Sequence, residues 1–199
     1  MTYCICGIDP GIAGGIAFRR VLKGRAVMWS DDLPTTQPHG VGKAWLDATA
    51  LGAMITNFSP DVAVIERVSS RPGQGLSSTF RFGMAFGICV GVVSALQVPI
   101  HYITPGKWKI DVGLEAPPPY LTKGQAATFR KSVALDLARE LYPESVADWA
   151  RKKDHNRAEA ALLAHWGERN GVGSLQDVRR QGSHTPARKK GTTYDLAPR

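Results

Sequence analysis

The sequence predicts an α/β domain built on a mixed sheet, antiparallel hairpin strands first and parallel strands later, flanked by helices. Two observations carry this. Residues 3–33 hold three strand-like runs, of which IAFRRVL and RAVMWSDDL form a hairpin across Lys23-Gly24. Beyond them, the short apolar runs VAVIERV and PIHYIT alternate with stretches of helical period. That alternation is the pattern of parallel strands joined by right-handed crossovers.

The elements follow in order. Residues 3–9 alternate as a strand, and Gly11, Gly14 and Gly15 form the turn after it. Residues 34–42 (PTTQPHGVG) are rich in turn formers and read as an exposed loop. WLDATALGAMITNF has a helical apolar face of Leu46, Leu51, Met54, Ile55 and Phe58, and Pro60 stops it. VAVIERV is short and β-branched, as a buried strand should be. RPGQGLSS is a loop in which Ser77 or Ser78 caps the next helix, TFRFGMAFGICVGVVSALQ. That helix is apolar nearly all round, so burial against the sheet or a partner is expected.

PIHYIT supplies another parallel strand, and Pro105 opens one or two helical turns in GKWKIDVGL. EAPPPYLTK is a proline-rich loop, and GQAATFRKSVALDLARELYP is an amphipathic helix ended by Pro143. The last helix runs from about His155 to Arg169, closed by Gly171 and Gly173. Residues 1–170 thus make one domain. Residues 171–199 form an aperiodic tail with six Lys/Arg against two acids, for which disorder is expected.

A chain of 199 residues with 43% hydrophobic content suits one globular domain with a real core. The formal net charge of +8 favours a polyanionic partner, nucleic acid before an anionic membrane. No run is expected to approach the ~18 apolar residues of a membrane span, and the N-terminus reads as a buried strand and not as a leader. Cys4, Cys6 and Cys89 lie in apolar runs and read as small core residues in a reducing cytosol. No second Cys/His pair completes a zinc site with Cys4-x-Cys6.

Four carboxylates stand out. Asp9 ends the first apolar run, before a glycine turn whose small residues permit close approach of a phosphate and a metal. Glu66 follows four apolar residues, where a charge is costly unless liganded or paired, for instance with Arg67. Asp154 and Glu159 are five positions apart. On an ideal helix they diverge by ~140°, so both point inward only if Asp154 precedes the helix or caps it. His155, four before Glu159, shares its face and is the alternative fourth ligand. Four acids in one cleft would repel strongly unless a divalent cation held them. Each also has a plain reading: turn residue, salt bridge, or the wet end of a core helix.

GIDPG around Asp9, VIERV around Glu66 and DHNRAEAALLA around Asp154–Glu159 resemble the RuvC-type Holliday junction resolvases. The similarity is greatest to the phage, prophage and chloroplast branches, whose segments RPGQGLSSTFRFG and TPGKWK also resemble. The resemblance covers about residues 3–170. It implies an RNase H-like fold, a homodimer, and incision of four-way DNA junctions with two Mg²⁺ or Mn²⁺ ions per site. Asp9, Glu66, Asp154 and Glu159 would be the catalytic metal ligands. Asp9 would bridge the ions, Glu66 would serve the leaving-group side, and Asp154 and Glu159 the water-activating side. Lys107, Lys109, Arg130, Lys131, Lys152 and Lys153 would contact phosphates. Phe80, Arg81 and Phe82 would meet the crossover, with Phe80 the better wedge and Phe82 equally a core residue. The apolar helix 79–97 is a possible dimer interface. The resemblance also implies a prokaryotic or phage-infected cytoplasm, or an organelle.

The chain departs from that pattern at Glu159, where many relatives carry Asp, and in the spacing of its last motif. Three other readings stay open. They are a broader nuclease for flaps, forks or branched phage DNA, an actin- or sugar-kinase-like ATPase needing a second lobe, and a non-catalytic DNA-binding relative.

Overall fold

The computed structural model describes residues 3–22, 25–37, 42–67, 69, 73 and 75–172. The Lys23-Gly24 turn and the tail from 173 onward therefore lie outside the described residues. The strands are β1 (Tyr3–Asp9), β2 (Gly15–Leu22), β3 (Arg25–Asp32), β4 (Thr35–Thr36), β5 (Trp45–Leu46), β6 (Val62–Glu66) and β7 (Ile100–Ile103). The helices are α1 (Ala48–Phe58), α2 (Leu76–Ala95), α3 (Pro105–Asp111), α4 (Lys123–Leu141) and α5 (His155–Arg169). Two 3-10 segments, Pro143–Trp149 and Lys152–Asp154, lead into α5.

The main sheet has the order β3-β2-β1-β6-β7. Its first three strands are antiparallel, and β1, β6 and β7 are parallel, as the sequence predicts. β1 is the central strand, and its side chains alternate between two cores. Ile5 joins Val64, Trp108, Ala134, Leu135 and the apolar face of α5 on one side of the sheet. Cys4, Cys6 and Ile8 join Leu51, Ile55, Ala85 and Cys89 on the other. The result is three layers, α4 and α5 against one face, α1 and α2 against the other. All three cysteines are buried and free. Among the described residues one such sheet and one small ladder are present, against the second lobe an actin-like ATPase needs.

Local signals explain the element ends. The Asp47 carboxylate accepts from the Ala50 N–H at 2.9 Å and caps α1, and Ser59 closes it in the left-handed region at φ 46°. Thr122 and Gln125 form a reciprocal capping box on α4.

Four expectations need correction. Part of the 34–42 loop is strand, since Thr35 and Thr36 pair with Leu46 and Trp45. The N-cap of α2 is Gly75, so Ser77 and Ser78 lie inside its first turn. α2 is not buried all round. Ala85, Cys89 and Val93 are its fully buried residues, a single stripe at helical spacing. Its glycines dilute the face that would otherwise need covering. Finally, α2 is long and apolar enough to cross a membrane by length and composition, because its one charge, Arg81, sits near its start.

α5 lies directly on β1 and β2. A Cβ at Gly7 would collide with the Ala160 carbonyl and stand 2.7 Å from the Ala164 nitrogen. One at Gly15 would meet the Asn156 carbonyl and stand 2.8 Å from the Arg157 nitrogen. Side chains at these two positions would lift the helix from the sheet, so glycine is what brings Glu159 down toward Asp9.

Candidate active site

The register sets the first two acids. Ile8 of β1 lies opposite Ile65 of the parallel β6, and Asp9 and Glu66 each follow by one residue. They close the adjoining C-terminal ends of neighbouring parallel strands, where open α/β sheets bind their ligands. α5 crosses the same strands and adds Glu159. The three carboxylates act on one another electrostatically. Burial first, then the charges of Glu159 and Glu66, push the Asp9 carboxyl well above the usual carboxylate range. Burial also raises Glu66, against the hydrogen bond from Trp108 and the charge of Lys109. Behind them, burial and the nearby Asp9 push the Cys89 thiol up to about 12.

Two neighbouring side chains of α3 hold two of these acids. The Trp108 indole Nε1–H donates to Glu66 Oε1 at 2.9 Å. Lys109 Nζ donates to Glu159 Oε2 at 2.9 Å. Glu66 is thus tied to Trp108 and not to Arg67. α3 is fixed in turn by α5, whose Trp166 Nε1–H donates to Asp111 Oδ2 at 2.8 Å. Trp108 is a site residue that the sequence reading did not single out. TPGKWK drew notice as a motif, but nothing local shows that its tryptophan reaches back to Glu66.

Asp154 stands in the 3-10 turn just before α5, the pre-helix position its spacing requires. Its carboxylate is held elsewhere. The Arg151 backbone N–H donates to Oδ2 at 2.8 Å and its guanidinium Nη2 to Oδ1 at 2.7 Å. Burial would raise Asp154, but these hydrogen bonds hold it below the usual carboxylate range. It belongs to a second charge cluster in which Arg157 pairs with Asp31 at 3.0 Å and Asp32 at 2.8 Å. His155 Nδ1 lies 3.3 Å from the Lys152 carbonyl. The structure therefore brings Asp9, Glu66 and Glu159 together and turns Asp154 toward Arg151.

Among the described residues no three acidic, histidine or cysteine side chains form a ready coordination sphere. The donor chemistry nonetheless suits a hard divalent ion. It is all carboxylate oxygen, and burial, with mutual repulsion second, raises two of its acids. Lys109 supplies the positive charge that such a group requires.

The proposed DNA-contacting residues are mostly exposed. Phe80 is 67% exposed at the start of α2. Phe82 is half-buried and, with Ile12, Lys43, Ser77 and Arg81, lines a cavity of about 610 Å³. Arg81 Nη2 donates to the Ala44 carbonyl at 3.0 Å. Lys107 pairs with Asp111 at 3.0 Å. Arg130, Lys131, Lys152 and Lys153 are exposed.

No family model matches the chain. A 95-residue stretch is 30% identical to the chloroplastic Holliday junction resolvase MOC1 of Chlamydomonas reinhardtii, covering 48% of this chain and 10% of that protein. A 109-residue stretch is 34% identical to the crossover junction endodeoxyribonuclease RuvC of Corynebacterium diphtheriae, covering 52% of this chain and 64% of that one. The chain thus spans less than two thirds of either relative. The fold is similar to that of T. thermophilus RuvC in complex with a Holliday junction substrate. The TM-score is 0.50 at 16% identity, over 85% of this chain and 97% of the other. The mixed sheet with flanking helices is accordingly the RNase H-like architecture. Over part of its sequence and in its fold, this chain is similar to RuvC-type Holliday junction resolvases.

Proposed function

We propose that this chain is a divalent-metal-dependent endodeoxyribonuclease that resolves four-way DNA junctions by paired symmetric nicks. One observation carries the proposal. Asp9, Glu66 and Glu159 meet at the C-terminal ends of β1 and β6, beneath the start of α5. The sequence relatives named as junction resolvases support it.

Asp9, Glu66, Glu159 and a fourth donor, Asp154 or His155, would hold Mg²⁺ or Mn²⁺, two ions per site. Bound there, such ions activate water and offset charge on the phosphate and the leaving oxygen. The chain's own groups do the rest. Trp108 holds one oxygen of Glu66, whose carboxyl also hydrogen-bonds with Asp9. The exposed Lys107, Arg130, Lys131, Lys152 and Lys153 would bind backbone phosphates, making affinity salt-dependent. Phe80 would stack at the crossover, where base–aromatic stacking is worth ~1–3 kcal/mol.

Paired nicks need two pockets. Leu76, Gly83, Gly87 and Gly91 lie along the exposed side of α2, and a Cβ on any of the three glycines would meet nothing within 4 Å. This apolar, small-residue stripe is the face we assign to a homodimer, with sedimentation of Gly87→Glu as its check.

A broader flap or fork nuclease would use the same residues, so substrate comparison decides. A labelled four-way junction, a flap and a linear duplex are each incubated with Mg²⁺ or EDTA. Symmetric junction nicks that require metal are expected. Equal nicking of all three substrates would replace this proposal with the broader one.

A further inference from the structure

Lys109 places a positive charge at the carboxylate pocket. Its ammonium donates to Glu159 Oε2 at 2.9 Å and lies 5.1 Å from the centroid of the Trp108 ring. Asp9 and Glu66 both feel its charge. We propose that Lys109 is a built-in counter-cation of the carboxylate pocket, displaced from Glu159 when a divalent ion enters. The proposal rests on the reading of this pocket as a metal site.

The physical case has three parts. A cluster of half-buried and buried carboxylates is unstable without a positive charge among them, and Lys109 supplies one in the metal-free protein. A divalent ion binds the same carboxylate oxygens at short range, so the ammonium and the ion compete for Glu159. The lysine stem is flexible, and there is somewhere for it to go. Lys109 lines a cavity of about 490 Å³ with Arg130, Ile110, Leu114 and Pro117. An ammonium released toward Arg130 stands beside the pocket, where it can meet a phosphate. Metal loading and exposure of a phosphate-binding cation are then one event. The apparent metal affinity is lower than the intrinsic one by the fraction of time Lys109 leaves Glu159 free.

The test is calorimetric titration of the metal-free full chain with Mn²⁺. Lys109→Met keeps the stem over Trp108 and removes the charge. It should bind Mn²⁺ about tenfold more tightly than wild type. Its metal-free melting temperature should fall below that of wild type, with the gap closing at saturating Mn²⁺. Should the variant not fold, wild-type protein labelled with ¹³C at lysine Cε is titrated with diamagnetic Mg²⁺, the Lys109 signal being assigned by its loss in Lys109→Arg. That signal should move in step with saturation. Unchanged or weaker Mn²⁺ binding by Lys109→Met, or a Lys109 signal unmoved at Mg²⁺ saturation, would overturn the counter-cation and leave the metal site standing. Failure of wild type to bind either ion would overturn both.

Discussion

The Trp108 indole donates to Glu66 Oε1 across 2.9 Å, joining residues 42 positions apart in the chain. Both partners are buried, so the bond restricts Glu66 to one rotamer and satisfies a carboxylate oxygen that water reaches poorly. Trp108→Phe keeps most of the ring volume and removes the donor. The loss of a buried hydrogen bond to a charged group costs about 1.5–3 kcal/mol. We expect junction nicking to fall by roughly 10- to 100-fold at a fixed Mg²⁺ concentration. Single-turnover assays at several Mg²⁺ concentrations check this, and a rate within twofold of wild type at all of them would refute it.

Asp9→Asn should stabilise the metal-free protein. Burial, Glu159 and Glu66 raise the Asp9 carboxyl, so the folded state holds its proton more tightly than the unfolded chain does. A group of this sign stabilises the fold below its unfolded pKa, and that contribution is lost as pH rises through the folded value. Above the unfolded carboxylate value, Asp9 therefore carries a folding cost that the amide does not. Thermal melts in EDTA at neutral pH should show the variant above wild type, and melts in Mg²⁺ should show it gaining less than wild type gains.

Glycine substitutions should separate packing from partner contact. Gly7→Ala drives a methyl into the α5 backbone and should cost about 3 kcal/mol or more, because overpacked backbone cannot yield as side chains do. Gly87→Ala places its methyl in open space on α2 and should stabilise the isolated fold by about 0.5–1 kcal/mol through helix propensity. Urea denaturation measures both, and equal effects at the two positions would contradict the placement of α5 on β1.

The pH dependence near neutrality should carry a mark of His165. Burial first, then the charges of Arg19 and Arg169, hold its pKa below the ordinary histidine value. Its Nδ1 lies 2.6 Å from the Tyr142 hydroxyl, within hydrogen-bond reach. The unfolded chain then takes up a proton that the folded one resists. The stabilisation is full above the unfolded pKa of about 6.5 and is lost as pH falls through the lower folded value. His165→Gln should show a smaller drop in melting temperature than wild type between about pH 7.5 and 5. An identical drop would rule out this contribution.

Much of this was legible in the chain because its signals are local. The antiparallel hairpin strands, the parallel strands and the ends of α5 follow from period, proline and glycine. Asp9 and Glu66 could be found because a charge at the end of a buried strand is costly. What stayed hidden depends on tertiary contact. Nothing near Trp108 announces Glu66, and nothing near Gly7 announces the backbone of Ala160. Asp154 was correctly placed before its helix, but its grip by Arg151, three residues earlier, rests on a 3-10 turn that no periodicity reveals. The exposed side of α2 looked like core because composition counts apolar residues without asking what covers them.

The pocket at Asp9 is proposed to perform metal-dependent cutting of four-way junctions. Its most direct test measures binding and nicking of one labelled junction by wild type and Asp9→Asn in Mg²⁺. The account predicts that Asp9→Asn binds the junction within a few-fold of wild type while its nicking falls by ~10³-fold or more. Nicking by Asp9→Asn at a rate close to wild type would contradict it.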